Sequence, residues 1–257
     1  MSAGQLPRWA DLGLIPLLNL TAAFLVSGLV VLIIGENPIE VVKILLWGSL
    51  GFGEGIGFTL FYATNFIFTG LAVAVAFHAG LFNIGGEGQA YVGGLGVAAA
   101  CLLLDQIAPW WVTLPFVILG SAAAGAAWAF IPAWLQAKRG SHVVITTIMF
   151  NFIAASMMVY LLVNVIGKAG SMQPETRTFV DGGRLPMLND IFPFFDFGTA
   201  PVNLSLILAL LSAFGVWLLI WRTRLGYAIR TLGANATAAV YAGISPARII
   251  IITMMIS

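Results

Sequence analysis

The chain has 257 residues, 60% hydrophobic and only 8% charged, with a formal net charge of +1. That composition excludes an ordinary water-soluble domain, and the near-neutral charge singles out no charged partner; no nucleic acid is expected. Cys101 is the only cysteine, so no disulfide forms within the chain, and the long continuous apolar runs argue against a β-barrel.

The first run, residues 14–34, holds 21 residues without a charge. As a helix it spans roughly 32 Å, against a hydrocarbon core of about 30 Å. Arg8 is the only basic residue before it and no small-x-small cleavage site follows, so it reads as a retained span rather than a signal peptide. The alternating glycines at 51–57 predict a flexible lead-in to a second span, 58–77. Residues 82–90 carry Gly85, Gly86 and Gly88 and predict a broken or re-entrant element before a short third span, 90–104. The fourth run, 110–135, contains Pro115 and Pro132 as sites for kinks. Runs at 143–166 and 203–221 follow, and a last begins near Ile249 and stops mid-run at Ser257. The expected architecture is all-α: one polytopic transmembrane bundle over 1–257, about seven spans with the last truncated.

With the N-terminus in the cytoplasm, alternation places Arg8, Lys138, Arg139, Arg222, Arg224, Arg230 and Arg248 inside and Lys43, Lys168, Arg177 and Arg184 outside, seven against four. The outer loop, 167–202, is rich in proline, and a short amphipathic piece is expected within 191–197. Its length suits contact with an outer partner as well as simple connection. Inside, 222–246 is basic and rich in alanine. Segments 228–232 and 236–241 are expected as short helices, with Gly233 and Gly243 as stops and Asn235 as the N-cap of the second. Two such helices would make a docking face on the inner surface.

Polar residues at membrane depth carry the most information. Glu87, between glycines, must be paired, hydrogen-bonded, protonated or wet. It either lines a polar path or serves the helix end, with Asn83 as cap. Asn65, Asn151, Asn164 and Tyr160 are further candidates, for the path or for bonding helix to helix. Phe77 and neighbouring aromatics could stack on a planar solute or face lipid. The path candidates are therefore Asn65, Phe77, Asn83, Glu87, Gln89 and Asn151. Gly-x-x-x-x-Gly-Lys-[Ser/Thr] occurs nowhere, no catalytic set assembles at one depth, and neither His78 nor His142 has the neighbours for a metal site. No catalytic residue, metal or cofactor is assigned.

Residues 70–89, with Gly80-Leu81-Phe82-Asn83-Ile84-Gly85-Gly86-Glu87-Gly88-Gln89 at their end, resemble the hallmark of permease subunits of bacterial ATP-binding-cassette importers. The class is that of branched-chain amino acid, ribose and nucleoside permeases, and the match is strongest to nucleoside or simple-sugar permeases. Gly35-Glu36-Asn37-Pro38, the run 131–138, Leu225-Gly226 and Ile244-Ser245 agree, so the resemblance covers 35–257. It implies a second permease subunit, cytoplasmic ATP-binding subunits and an extracytoplasmic substrate-binding protein, in the inner membrane of a bacterium. It also implies that Gly226, Arg230, Gly233, Asn235, Ala239 and Gly243 sit against the ATPase. Two positions depart from the family pattern: Ser141-His142 stands where an Asn-Glu pair is usual, and His78 where an Arg is usual. The expected function is import of a small neutral polar solute, nucleoside or simple sugar. The rivals are an ion-coupled secondary transporter and a non-transporting truncated scaffold.

Overall fold

The structure is a computed structural model describing residues 7, 9–168, 170–194 and 196–257. Arg8, counted above among the inner cations, lies outside the described residues. The described secondary structure is helical apart from one isolated bridge, Met187 to Asn203. Among the described residues, six helices are long and apolar enough to cross a membrane. The chain separates into two compact units, Met1–Thr59 with Asp196–Ala200, and Leu60–Phe195 with Pro201–Ser257.

In the first unit, a π-helical turn at Ala10–Leu14 leads into α1, Ile15–Ile34. Asn37 then caps α2, Pro38–Leu50, accepting from the Ile39 amide at 3.0 Å, with Pro38 in the first turn where its missing N–H costs nothing. The apolar-run reading placed no element here, because Glu40 and Lys43 interrupt the hydrophobicity. The expected flexible lead-in at 51–57 is also corrected: α3, Gly53–His78, is already helical from Gly53. Its first-turn carboxylate, Glu54, accepts from Thr199, and Gly57 lies against Phe197 and Ala200. These glycines let backbones approach rather than loosen the chain.

In the second unit, α3 ends in a Schellman turn. The Leu81 amide donates to Ala76 O at 3.0 Å and the Gly80 amide to Phe77 O at 2.9 Å, with Gly80 at φ +69°. α4 runs Gly86–Leu104 and α5 runs Trp110–Arg139, unbroken through Pro115 and Pro132. The third span thus starts four residues earlier than expected, and the break is 79–85 rather than 82–90. α4 and α5 pack closely through small residues: a Cβ on Gly120 would lie 3.0 Å from Gly96 O, and one on Gly93 3.1 Å from Ser121 Oγ. Gly88 is level with Trp128, whose Nε1 is 3.1 Å from where a Gly88 Cβ would be. α5 continues from there to Arg139, about 16 Å farther at 1.5 Å per residue. α4 therefore begins well inside the bundle.

α6, Val143–Asn164, leads to the long 165–204 connection, where the short helix is α7, Leu188–Ile191, sharing only Ile191 with the expected 191–197. α8 spans Ser205–Arg222, α9 Arg224–Ala234, α10 Ala236–Tyr241 and α11 Pro246–Ile256. Gly233 lies inside α9 and does not end it; Asn235 does, and its side chain caps α10 at 2.8 and 3.1 Å. Gly243, at φ +74°, closes α10 as expected. The core joins Ala76, Ala79 and Leu81 to Ala133, Val143, Ile220, Ile229, Leu232, Ile249 and Met254. It lies at the end of the second unit opposite to Asp105, the end that carries α9.

Candidate functional site: a clasped helix break

The break at 79–85 is held from three sides. Asn83 Oδ1 accepts from the Gly85 amide at 2.8 Å, and its Nδ2 donates to Gln89 Oε1 at 2.9 Å and Ser257 Oγ at 3.0 Å. Ser257 Oγ donates to Ala72 O at 2.7 Å, tying the end of α11 to α3. Gln89 Nε2 reaches Met254 O at 3.5 Å. From α6, Asn151 supplies what α4 lacks. Its Oδ1 accepts from the Gly88 amide at 2.9 Å and its Nδ2 donates to Ile84 O at 2.9 Å. Gly85, the N-cap position of α4, has no side chain to cap with, so the cap comes from another helix. Gly88 and Asn151 are buried, so these backbone groups take their partner from the protein rather than from water.

Asn83, Gln89 and Asn151 are thus brought together. Glu87 stands apart: its side chain faces outward and accepts from the Tyr91 hydroxyl at 3.1 Å, one turn along α4. Phe77 and Phe82 stack across the break at 5.2 Å between ring centres, both exposed. Asn65 is exposed on α3, remote in sequence from this cluster.

Beneath the break lies the 222–246 segment. Thr223 caps α9, accepting from the Gly226 amide at 3.0 Å. Gly226 is pressed against the Leu219 and Ile220 carbonyls at the end of α8. Gly233 backs directly onto the Schellman turn: a Cβ there would collide with His78 O and lie 2.9 Å from Gly80 N. The Arg230 guanidinium lies 4.6 Å over the Trp221 ring, which also meets His78 edge-on at 5.9 Å. Ala239 is fully buried. Tyr227, Arg230, Thr231, Ala234, Asn235 and Ala238 line an open groove of about 360 Å³. Of the six residues predicted here, Gly226, Gly233 and Ala239 pack inward, Arg230 and Asn235 line the groove, and Gly243 closes α10.

At the opposite end, Arg177 binds Asp105 through two bonds of 2.7 and 2.8 Å and also donates to Leu102 O at 3.2 Å. The Asp105 side chain is wholly inaccessible and accepts from the Val180 amide as well, at 3.1 Å. The Arg177 bonds hold its carboxyl down to about 2 and raise the Arg177 guanidinium further. Gly182 packs against the Asp105 and Ala108 carbonyls. Residues 177–182 are therefore fastened to the α4–α5 corner. Sequence reasoning passed over Asp105, Ser257 and Trp221, because each acts through a partner far along the chain.

Residues 55–257 match the family described as branched-chain amino acid transport system / permease component. The chain belongs to this permease family. It is 34% identical over 95% of its length to the guanosine ABC transporter permease protein NupP of Bacillus subtilis, covering 68% of that protein. It is 32% identical over 95% of its length to the nucleoside ABC transporter permease protein NupB of Lactococcus lactis, covering 67%. It is likewise 32% identical over 93% of its length to the glucose ABC transporter permease protein TsgB13 of Haloferax volcanii, covering 63%. No solved structure matches. Family membership and the apolar helices make the chain a multi-pass membrane permease component, a class of subunit that is not itself an enzyme.

Proposed function

We propose that this permease subunit forms one side of a conduit for a nucleoside, in the cytoplasmic membrane of a bacterium with its N-terminus inside. ATP hydrolysis is supplied by separate cytoplasmic subunits, cargo by an extracytoplasmic binding protein, and the other side of the conduit by a second permease subunit. The observation that carries the reading is Glu87. A carboxylate on the outward surface of an apolar helix costs about 2.5–3.5 kcal/mol against lipid. With Tyr91 beside it, this surface belongs to a wet passage closed by the second subunit. Asn65 and the exposed Phe77–Phe82 stack are assigned to the same passage, the rings suiting a planar base. Asn83, Gln89 and Asn151, whose polar groups are spent on the chain itself, hold the passage wall in place.

The backing of Gly233 onto His78 and Gly80 supports the coupling assignment. A push on α9 from an ATPase seated at Arg230 and Asn235 meets the break directly, backbone against backbone. Two relatives carry guanosine or nucleoside in their names and one carries glucose, so nucleoside is the first cargo to test and glucose the competitor. The experiment is uptake of labelled guanosine and glucose into vesicles holding the full chain with its partner subunits. Uptake requires the ATPase subunit and falls at least tenfold with Glu87→Gln. Uptake that persists without any ATPase overturns the proposal.

A further inference from the structure

The end of the second unit that carries α9 has cations and no acids. No Asp or Glu occurs from 106 to 174 or from 197 to 257. Apart from Lys168, which lies toward the opposite end, those stretches hold Lys138, Arg139, Arg222, Arg224, Arg230 and Arg248, and among the described residues none of these six is in an ion pair. Glu87, the acid of α4, is engaged by Tyr91. The opposite end balances its cations with Asp105, Glu175, Asp181 and Asp190.

Two of these cations share one arrangement. At the end of α8, Arg222 folds back so that its guanidinium lies 5.4 Å from the Trp217 ring centre, and Trp217 stacks on Phe214 at 5.8 Å. At the end of α5, Arg139 lies 5.9 Å over Trp134. In both the arginine is five residues beyond the tryptophan, and both members of each pair are exposed. Below Arg222, the exposed side chains of Phe214, Trp217 and Leu218 form an apolar stripe on a spanning helix. Such a stripe with a cation at its rim has the order of a phospholipid: chain, interface, headgroup. Arg224 follows at the first position of α9, where the helix dipole disfavours a cation, so its charge does not serve that helix.

We infer that the α8–α9 corner binds an anionic phospholipid, its phosphate between Arg222 and Arg224 and an acyl chain along Phe214 and Trp217, with Lys138 and Arg139 offering a second headgroup contact at the end of α5. A headgroup here anchors the start of α9, the helix that meets the break. The assignment does not depend on the transported solute.

The test is native mass spectrometry of the full chain in mild detergent with added phosphatidylglycerol, phosphatidylcholine or inorganic phosphate. Wild type retains phosphatidylglycerol in preference to phosphatidylcholine, inorganic phosphate does not displace it, and retention falls as salt rises. The double change Arg222→Gln, Arg224→Gln lowers the preference at least tenfold, at about fivefold per cation. The Arg→Lys pair keeps most of it, and Lys168→Gln at the opposite end changes nothing. Equal retention of the two lipids, salt-independent retention by wild type, displacement by phosphate, or an unchanged preference in a folded double variant each overturns the inference.

Discussion

Gly233→Ala puts the contact between α9 and the break to a direct trial. Helix propensity alone favours alanine at this interior position by about 0.8–1 kcal/mol. The structure opposes it. The new methyl collides with His78 O and lies 2.9 Å from both His78 C and Gly80 N, all backbone atoms. They belong to the Schellman turn at 76–81, whose hydrogen bonds of 2.9 and 3.0 Å leave it no side chain to swing aside. Overpacking of this kind costs about 1–3 kcal/mol, and with backbone on both sides the upper half of that range applies. Net of propensity, the variant is less stable by about 1–2 kcal/mol. Gly215→Ala is the matched control: it lies inside α8 with nothing within 4 Å of its Cβ position, so it gains about 0.5–1 kcal/mol. The two identical chemical changes should differ by about 2–3 kcal/mol in denaturant unfolding of the micelle-bound chain, followed by tryptophan fluorescence. If Gly233→Ala unfolds at the same midpoint as Gly215→Ala, α9 does not press on the break and the coupling route fails with it.

Asn151→Leu leaves the Gly88 amide and the Ile84 carbonyl without partners. It should cost about 1–3 kcal/mol per group on soluble-protein figures, less where neighbouring chain re-pairs, with faster amide exchange at 84–88 as the readout. Asn235→Ala removes the cap of α10 at a cost of about 1 kcal/mol; exchange should rise across 236–241 and stay unchanged in α3. The Asp105 tether sets a pH window. Its carboxyl titrates lower in the folded chain, about 2 against 3.8, so the tether is at full strength above the ordinary value and is lost as pH falls through about 2. Protease resistance of the 165–204 loop should hold from neutral pH down to about 4 and fall below it. Asp105→Asn should loosen the loop already at neutral pH.

What the sequence made legible was local. Apolar runs located the long helices because lipid demands about 20 residues of hydrophobicity per span. The Asn235 cap and the Gly243 stop were legible because capping acts over two or three residues. α2 was hidden because its charges interrupt the run that signals a span. The glycines at 51–57 were misjudged because their purpose is tertiary: Gly53 and Gly57 face 196–200, more than a hundred residues away. The clasp was only partly visible. Asn83 and Asn151 stood out as polar groups in apolar surroundings, but Asn83 meets Ser257 across 174 positions and Asn151 meets Gly88 across 63. Composition cannot tell a side chain that caps a foreign helix from one that waits for a solute.

α4 begins partway along the column of α5 rather than at its foot. Below its first turn the bundle is completed by seven residues of irregular chain, 79–85, resting on α9. Bending a helix breaks a ladder of hydrogen bonds, whereas shifting those seven residues rearranges a few. The bundle's weakest storey is thus set directly above its floor, so a small lift from beneath can be taken up there while the upper columns stay straight.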